Sequence, residues 1–579
     1  MLTILTILMI GLPWLGALCV WLVGDKHRGL LNVLASAFAL LSGVAALAAL
    51  PLATSGAVLR VPMGSVFGDF TLVPDGLALA IGAIATVVGS AAVVFAADYM
   101  KHAHQLARFY ALVLFFIGAM VGLAVSGSLL FTFLFWEITA FCSYALISFQ
   151  NDNPHAVRGG VQALIMTQVG GVGLLGGALL VHGQFGDYEI GTLLQQYGSV
   201  PPAILAAMAF GFLVAAAAKS AQVPFHAWLP EAMEAPTPVT ALIHAATMVN
   251  AGVYLLARFY PAFESVPGWR MSVMAVGMLS ALLAGLMALV ADDIKRVLAY
   301  STISQLGYMV YAVGTGAIFA AQFHLLSHAI FKALLFLSAG AIITALGTRD
   351  LLKMGGLRRL MPFVYAAFAI GSLGLVGLPI ANGFFSKELI LEGGLENGPF
   401  VFYLVMLLGA GITALYTVRL TWMIFHGERR GPQPSHDGLP AMRVSLAFLA
   451  VGTLTGWLVA GPFSRMLADT LPFHEIEPEG TWALVRAVCL PPATWVALGV
   501  IALGFAAWFF RSRLAGVARA LKPTLAGGFG LETLPGWIGK WTSRAAASLQ
   551  TIQTGQLSWN VVGIPAAVIV VLIVLMSYR

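Results

Sequence analysis

Long apolar runs, each about the length needed to cross a lipid bilayer, fill nearly the whole chain. A membrane-spanning helix needs about 20 mainly apolar residues. Sixteen stretches meet that requirement, with approximate limits 2–24, 29–52, 74–98, 108–126, 128–149, 158–182, 203–229, 237–260, 271–290, 296–315, 319–346, 362–394, 397–426, 443–461, 492–510 and 557–577. The pattern predicts an all-α integral membrane protein without a sizeable aqueous domain.

The seventh and twelfth of these spans are longer than the others, and both contain helix-breaking residues. Proline removes a backbone donor and opens the helix, and inside a membrane the freed carbonyl groups must be satisfied by protein or water. We therefore expect two broken helices beside a hydrated, protein-lined cavity. Interrupted helices at matching places of two halves are typical of inverted-repeat transporters, and a separation of five spans gives the second half the opposite orientation.

The chain therefore divides into four predicted parts. Helices 1–3 occupy residues 1–107, a first repeat of helices 4–8 occupies 108–260, and a second repeat of helices 9–13 occupies 271–426. The last part, 443–579, contains helices 14–16. Within it the segment 511–557 is amphipathic and too polar to span, which predicts a helix along the cytoplasmic surface. A long cytoplasmic loop is the alternative.

The composition agrees with a membrane protein and excludes several classes of function. Hydrophobic residues make up 60% of the 579 positions and charged residues 9%, against about 25% charged residues in soluble proteins. The three cysteines, Cys19, Cys142 and Cys489, stand singly, so no zinc or iron–sulfur ligand set is evident. Nucleotide-binding loops are absent as well. The sequence predicts no cofactor and no nucleic-acid partner.

Basic residues are distributed unevenly over the connections between spans. The odd-numbered connections hold 21 of the 30 Lys and Arg residues, the even-numbered ones and the C-terminus hold 6, and 3 lie within spans. Because basic loops stay in the cytoplasm, we expect both termini on the outer side of a bacterial or archaeal plasma membrane.

Three lysines lie inside spans that are otherwise apolar. They are Lys219, Lys332 and Lys387. A charge at the membrane centre costs roughly 3 kcal/mol on insertion scales, and such residues normally mark an ion or proton pathway. Pro224 follows Lys219 by five positions, and Pro379 precedes Lys387 by eight. This combination of buried cation and broken helix indicates transport.

Glu137 is the only acidic residue of its span. A buried carboxylate without a partner becomes neutral or pairs with a cation, and Lys219 needs a partner too. We expect Glu137 and Lys219 to form a coupled pair, in which a change at the acid alters how tightly the lysine holds its proton. A static ion pair that holds two helices in register is the structural alternative.

His324, His328 and Lys332 follow one another at intervals of four residues, which places them on one helical face. We call them the histidine–lysine stripe. Histidine titrates near neutral pH, so the stripe predicts a proton relay. A metal site is the alternative, although no third ligand is evident. His244 stands alone on its span, and we expect it to link the two halves of the chain.

Other polar residues are expected to be structural. His226 ends the broken seventh span, and a cluster of four charged residues, Asp292, Asp293, Lys295 and Arg296, lies at a connection between spans. We expect the cluster to form a solvated helix cap.

Five segments of the chain resemble the antiporter-like subunits of the complex I superfamily. They are FWEITAFCSYALI, KSAQVPFHAWLPEAMEAPTPVTALIHAATMV, DDIKRVLAYSTISQLGYM, HLLSHAIFKALLFLSAG and NGFFSKELIL. The superfamily includes the large distal membrane subunit of respiratory complex I, the large A-type subunit of the multisubunit Mrp cation/proton antiporters, and the matching subunits of membrane-bound hydrogenases. The resemblance covers almost the whole chain and is closest over residues 60–430.

The resemblance implies roles for the same residues. Glu137 corresponds to the acid of the fifth helix, Lys219 to the lysine of the broken seventh, and Lys332 and Lys387 to those of the eleventh and broken twelfth, with His324 and His328 beside them. It also implies fourteen core helices in two inverted five-helix units, other membrane subunits as partners, and a lateral helix similar to the one predicted within 511–557.

Two positions depart from the family pattern. Gly171 stands where the complex I subunit usually has an acid, which favours the Mrp-like branch. Asn250 stands where Mrp-like and hydrogenase-linked relatives often carry a lysine. The chain therefore lies between branches, and the sequence leaves open which complex it serves.

The sequence thus predicts a non-redox, proton-translocating subunit of a larger complex, with sodium as a second candidate ion. Protons would enter near Lys219, pass His244 and the histidine–lysine stripe, and leave near Lys387, or run in the reverse direction. One alternative is the membrane subunit of an ion-driven complex that accumulates inorganic carbon and is partnered by a zinc protein. A structural scaffold with inert ion pairs is the other.

Overall fold

The computed structural model describes residues 1–64, 66–527, 529–530, 541, 543–544 and 547–548. These residues are mostly helical. The last predicted span, 557–577, lies outside them.

The N-terminal part contains four helices and a short hairpin. Helices α1 (Leu2–Val23) and α2 (Arg28–Ala49) are followed by strands β1 (Leu59–Pro62) and β2 (Asp69–Leu72), and then by α3 (Gly76–Ala83) and α4 (Gly89–Tyr99). The strands pair antiparallel, with Leu59 opposite Leu72. Helices α3 and α4 form one continuous rod through a π-helical turn, Ile84–Val88.

The next part contains the first broken helix. Its elements are α5 (Leu106–Val125), α6 (Leu129–Ile147), α7 (Pro154–Phe185), α8 (Ile190–Gln196), α9 (Pro202–Lys219), α10 (Trp228–Glu231), α11 (Thr237–Ala241) and α12 (Asn250–Phe263). A π-helical turn, Leu242–Ala246, follows α11.

The remaining elements contain the second broken helix. They are α13 (Trp269–Val290), α14 (Ile294–Thr315), α15 (Ile318–Leu346), α16 (Pro362–Val376), α17 (Asn382–Asn397), α18 (Phe400–Phe425), α19 (Pro440–Thr455), α20 (Ala460–Thr470), α21 (Thr481–Cys489), α22 (Pro492–Phe509) and α23 (Arg511–Ala526).

The hydropathy pattern located these helices well. Thirteen helical stretches of the described residues are long and apolar enough to cross a membrane. Two further predicted spans also fall on helices, since 296–315 is α14 and 362–394 is the broken pair α16 and α17. The number of sixteen spans stays a prediction. Within 511–557, α23 forms at the start, and the placement predicted for that segment is untested.

Small residues let pairs of helices approach closely. A Cβ atom on Gly307 of α14 would come within 2.6 Å of the carbonyl oxygen of Gly277 on α13. Close backbone approach through glycine is a common way for membrane helices to pack. The buried polar groups described below are therefore held on rigid helices.

A buried ion pair fastens one end of the bundle. Asp75 caps α3, its Oδ1 accepting from the Ala78 amide at 2.9 Å, and the same carboxylate pairs with the Arg258 guanidinium of α12. His474 lies beside them, with its Nε2 2.8 Å from the Ala257 carbonyl oxygen. Burial lowers the pKa of His474 to about 4, so this ring is neutral at physiological pH.

Candidate ion pathway

The first helix break begins at a predicted site residue. Helix α9 ends at Lys219, and the chain then runs without regular structure to α10. The indole of Trp228 donates to the carbonyl oxygen of Ala218 at 3.0 Å, and the hydroxyl of Ser280 accepts from the amide of Val223 at 2.9 Å. Protein side chains thus satisfy backbone groups that the break sets free, as a membrane interior requires.

Lys219 is fully buried, and its ammonium faces helix α6. The Nζ atom donates to the backbone oxygen of Trp136 at 2.8 Å and lies 4.8 Å from the centre of that indole ring. Such cation–π contacts stabilise a desolvated cation by about 2 kcal/mol. Lys219 therefore touches the residue that precedes the predicted partner acid, and not the acid itself.

Glu137 lies one position further along α6. Both carboxylate oxygens are buried. The Gln168 side chain lies within hydrogen-bonding reach of the carboxylate, and Lys219 lies within electrostatic reach of it. The coupling of Glu137 with Lys219 that the sequence predicts stays a prediction. The hydrogen bond of Lys219 goes to a backbone carbonyl, and the charge of Glu137 acts on the ammonium through space.

His244 lies in the π-helical turn after α11. Its ring is fully buried, 4.9 Å from the centre of the Phe336 ring, and neither ring nitrogen has a partner among the described residues. Phe336 lies one turn beyond Lys332 on α15, and the charge of Lys332 reaches the ring. That His244 links the two halves of the chain stays a prediction.

The histidine–lysine stripe lies on α15, and all three side chains are fully buried. His324 Nδ1 is 2.9 Å from the Ser386 hydroxyl, and its Nε2 is 3.0 Å from Oε1 of Gln305. Both ring nitrogens of His324 thus have a partner, and the ring is held between α14 and α17. His328 lies 6.4 Å from His324 between ring centres, and its nitrogens have no partner among the described residues.

Lys332 ends the stripe. Its Nζ donates to the Leu298 carbonyl oxygen at 3.2 Å and to the Ser301 hydroxyl. Both partners are neutral and belong to α14. The ammonium thus has two acceptors and, among the described residues, no carboxylate in hydrogen-bonding contact.

Lys387 lies on α17, beyond the second helix break. Helix α16 ends at Val376, followed by Gly377 with φ +81°. The Nζ of Lys387 donates to the Val376 carbonyl oxygen at 3.2 Å and lies 5.2 Å from the centre of the Tyr308 ring. A cation at a helix C-terminus is favoured by the helix dipole, so α16 holds this ammonium in place.

Among the residues expected to be structural, one is placed differently from the prediction. Asp293 caps α14 as expected, its Oδ1 accepting from the Lys295 and Arg296 amides. The Lys295 side chain, however, is only 3% exposed, and its Nζ donates to the Ala235 carbonyl oxygen at 2.6 Å. The prediction of a solvated Lys295 is wrong because the segment before α11 covers it.

Ion pairs around that cap join the two halves. Arg349 binds Glu234 at 2.9 Å and Asp293 at 3.0 Å, and Arg296 binds Glu231 at 2.6 Å. Burial alone would raise the pKa of Glu234, but the hydrogen bond and charge of Arg349 hold it below its usual value. These pairs fix the segment between α10 and α11 against α14.

His226, near the end of the first helix break, is buried close to the backbone of Pro224. Within the part of the chain that the structure describes, no group of three His, Cys, Asp or Glu side chains is placed to hold a metal.

Comparisons with known proteins place the chain among membrane subunits of two kinds of complex. Residues 126–413 match the family model described as NADH:quinone oxidoreductase/Mrp antiporter, TM. The NADH-quinone oxidoreductase subunit L of Escherichia coli is 39% identical over 442 residues, which cover 74% of this chain and 72% of that protein. The A1 subunit of the Na(+)/H(+) antiporter of Staphylococcus haemolyticus is 36% identical over 432 residues, covering 69% of this chain and 54% of that protein.

A solved structure of an Mrp complex contains a chain with a similar fold. The Mrp complex from a Dietzia species contains a chain that superposes with a TM-score of 0.84 at 28% identity. The match covers 100% of the present chain and 63% of that one.

Proposed function

The chain belongs to the NADH:quinone oxidoreductase/Mrp antiporter transmembrane family, as its motifs had indicated, and from this membership we propose that it moves protons through its row of buried lysines and histidines. It is a multi-pass, antiporter-like membrane subunit. Its relatives are named as subunits of larger complexes, so we propose other membrane subunits as its partners. Sodium is a second candidate ion.

The observation that carries the proposal is the kind of partner that each buried lysine has. Lys219, Lys332 and Lys387 are completely buried, and their hydrogen bonds go to backbone carbonyls and one hydroxyl. A structural ammonium in a protein interior is normally compensated by a carboxylate, because an uncompensated charge costs several kcal/mol. A carbonyl or hydroxyl accepts equally from the neutral amine, so these lysines can gain and lose a proton without losing their positions.

The order of the groups suggests the route. Lys219 lies at the break between α9 and α10, and Lys387 lies beyond the break between α16 and α17. His244 and the histidine–lysine stripe lie between them on the π-helical turn after α11 and on α15. We propose that protons pass between Lys219 and Lys387 along this row, and that Glu137 adjusts the proton affinity of Lys219.

The hydrogen-bond partners of the buried lysines also argue against the inert-scaffold alternative. An inert scaffold would show lysine–carboxylate pairs in the membrane interior, and the three buried lysines make none with the described residues. The carbon-accumulation alternative has no observation of its own in its favour. The two inverted repeats, 108–260 and 271–426, and the outer location of both termini belong to the proposal.

Proton flux through the intact assembly is the direct test. The full chain would be purified with its accompanying subunits, reconstituted into vesicles, and followed with a pH-sensitive dye under a sodium gradient or a membrane potential. We expect dye-reported proton movement absent from protein-free vesicles. No flux under either driving force, with the assembly intact, would contradict the proposal. The identity of the accompanying subunits also shows whether the chain belongs to an oxidoreductase, an Mrp-type antiporter or a complex with a zinc protein.

Gly171 offers a prediction about the acid's position. A Cβ atom at Gly171 of α7 would come within 2.5 Å of Glu137 Oε1. The end of a flexible side chain moves at little cost in stability, so Gly171→Ala should displace the carboxylate and leave the fold intact. We expect flux to fall between about tenfold and a hundredfold, as for an ångström-scale misplacement. Gly176→Ala is the matched control, since Gly176 lies on the same helix with open space around its Cβ position.

A further inference from the structure

The phenol of Tyr416, on α18, is a fully buried polar group that the sequence interpretation did not include. Its hydroxyl lies within hydrogen-bonding reach of Ser301 and Gln305 on α14 and of Thr413 on its own helix. In the present arrangement, however, it makes no hydrogen bond with the described residues. Buried polar groups normally have a partner, so the place of this hydroxyl points to a role beyond packing.

Contacts on both sides of Tyr416 tie α18 to α14. The Tyr308 hydroxyl of α14 donates to the Met406 carbonyl oxygen of α18 at 2.6 Å. Towards the other end of α18, Arg419 donates to the Ala291 carbonyl oxygen, just before α14, at 2.7 Å. Tyr416 lies between Met406 and Arg419 along α18, so the two helices hold its hydroxyl against α14.

Ser301 and Gln305 are the residues of α14 that hold two members of the histidine–lysine stripe. The Ser301 hydroxyl accepts from the Lys332 ammonium and donates to the Leu298 carbonyl oxygen at 2.9 Å. Oε1 of Gln305 is 3.0 Å from Nε2 of His324. Ser301 and Gln305 are four positions apart, so they lie on adjacent turns of one face of α14. A hydroxyl placed between them therefore acts on both ends of the stripe.

The unused donors and acceptors of these side chains are complementary. The Nε2 of Gln305 is a donor without a partner among the described residues. A serine oxygen has two lone pairs, of which Lys332 uses one, and a phenol both accepts and donates. The Tyr416 hydroxyl can accept from Gln305 Nε2 and donate to the Ser301 oxygen, which satisfies all three groups. Because Ser301 and Gln305 are already within reach, rotations of the side chains close this bridge while the helices stay in place.

The middle member of the stripe does not supply such a connection. His328 lies between Lys332 and His324 on α15, and its ring centre is 6.4 Å from that of His324. Neither of its nitrogens has a partner among the described residues. Within the part of the chain that the structure describes, the two ends of the stripe are thus held from α14.

Resting on the proposed function, we propose that Tyr416 is a positioning residue, whose hydroxyl bridges Ser301 and Gln305 and so holds Lys332 and His324 in place for proton exchange. During the exchange an N–H bond of the Lys332 ammonium breaks and an N–H bond forms on an imidazole of the stripe, which gives a neutral amine and an imidazolium. The O–H bond of Tyr416 stays intact throughout. The hydroxyl acts only through the two side chains that it bridges.

The test is a double-mutant cycle that measures proton flux through the reconstituted full assembly. Tyr416→Phe removes only the hydroxyl, so we expect flux to fall about tenfold, the equivalent of one neutral hydrogen bond. The thermal unfolding curve should not change, because the ring is kept. Ser301→Ala removes the other end of the bridge, so adding Tyr416→Phe to it should cause no further loss. Ser301→Thr keeps a hydroxyl, and in that background Tyr416→Phe should again cost about tenfold.

Tyr311→Phe is the matched control. Tyr311 is another buried phenol, on α14, and its hydroxyl donates to the Gly394 carbonyl oxygen at 3.4 Å, away from the bridge. This variant should translocate protons as the wild type does. An equal loss of flux in Tyr311→Phe would show that any buried phenol matters in this region and would overturn the inference.

The remaining outcomes separate the bridge from the function on which it rests. Wild-type flux in Tyr416→Phe would overturn the bridge, and so would a further tenfold loss on adding Tyr416→Phe to Ser301→Ala. A lower unfolding temperature in Tyr416→Phe would show a structural role and overturn it as well. Each of these results leaves the proposed function standing. Wild-type flux in Lys332→Met would contradict the proposed function itself.

Discussion

Replacing Lys219 by alanine is expected to abolish proton flux while the complex still assembles. The substitution removes an ammonium whose hydrogen bond goes to the Trp136 carbonyl oxygen at 2.8 Å. The segment after α9 keeps its other contacts, such as the bond from the Trp228 indole to Ala218. We expect flux in reconstituted vesicles to fall by more than about a hundredfold. Co-purification of the other subunits checks assembly.

Glu137→Ala should have a similar effect, because it removes the charge that acts on Lys219 through space. Lys353→Ala is a suitable control, since the Lys353 side chain is 70% exposed. Wild-type flux in the Lys219→Ala, Glu137→Ala double variant would contradict the assignment of both residues. A complex that falls apart in the single variants would indicate that the two groups hold the helices together.

The positions of the membrane helices were predictable because hydropathy alone determines them. The predicted span 29–52 is helix α2, Arg28–Ala49, and the predicted break after Lys219 is where α9 ends. Apolar length and proline are local signals that act through the bilayer and the backbone. Helix α20 was not anticipated, because its 11 residues contain glycine and proline and are too short for a clear apolar period.

The partners of the buried charges were less predictable. Charge alone suggested that Lys219 would pair with Glu137, but the lysine side chain meets a backbone carbonyl first. Lys295 looked solvated because it follows a helix cap, and a segment 60 positions away covers it. Which atom a long side chain reaches depends on how distant elements pack, and local sequence patterns do not reveal that packing.

Lys332 provides the sharpest distinction between a proton carrier and a fixed charge, through the pair of variants Lys332→Met and Lys332→Arg. Methionine removes the titrating group, and we expect flux to fall by more than about a hundredfold. The fold should keep its stability, because replacing a buried charge by an apolar side chain of similar volume is often neutral or stabilising. A thermal unfolding curve of each variant checks that expectation.

Arginine keeps the positive charge and can donate to the Leu298 carbonyl oxygen and the Ser301 hydroxyl, as the lysine does. It does not release its proton in proteins. If Lys332 served only as a fixed charge, Lys332→Arg would translocate protons at close to the wild-type rate. If the ammonium must lose its proton during each cycle, the arginine variant should be as inactive as the methionine variant. The two variants together therefore test the chemistry of the group separately from its charge.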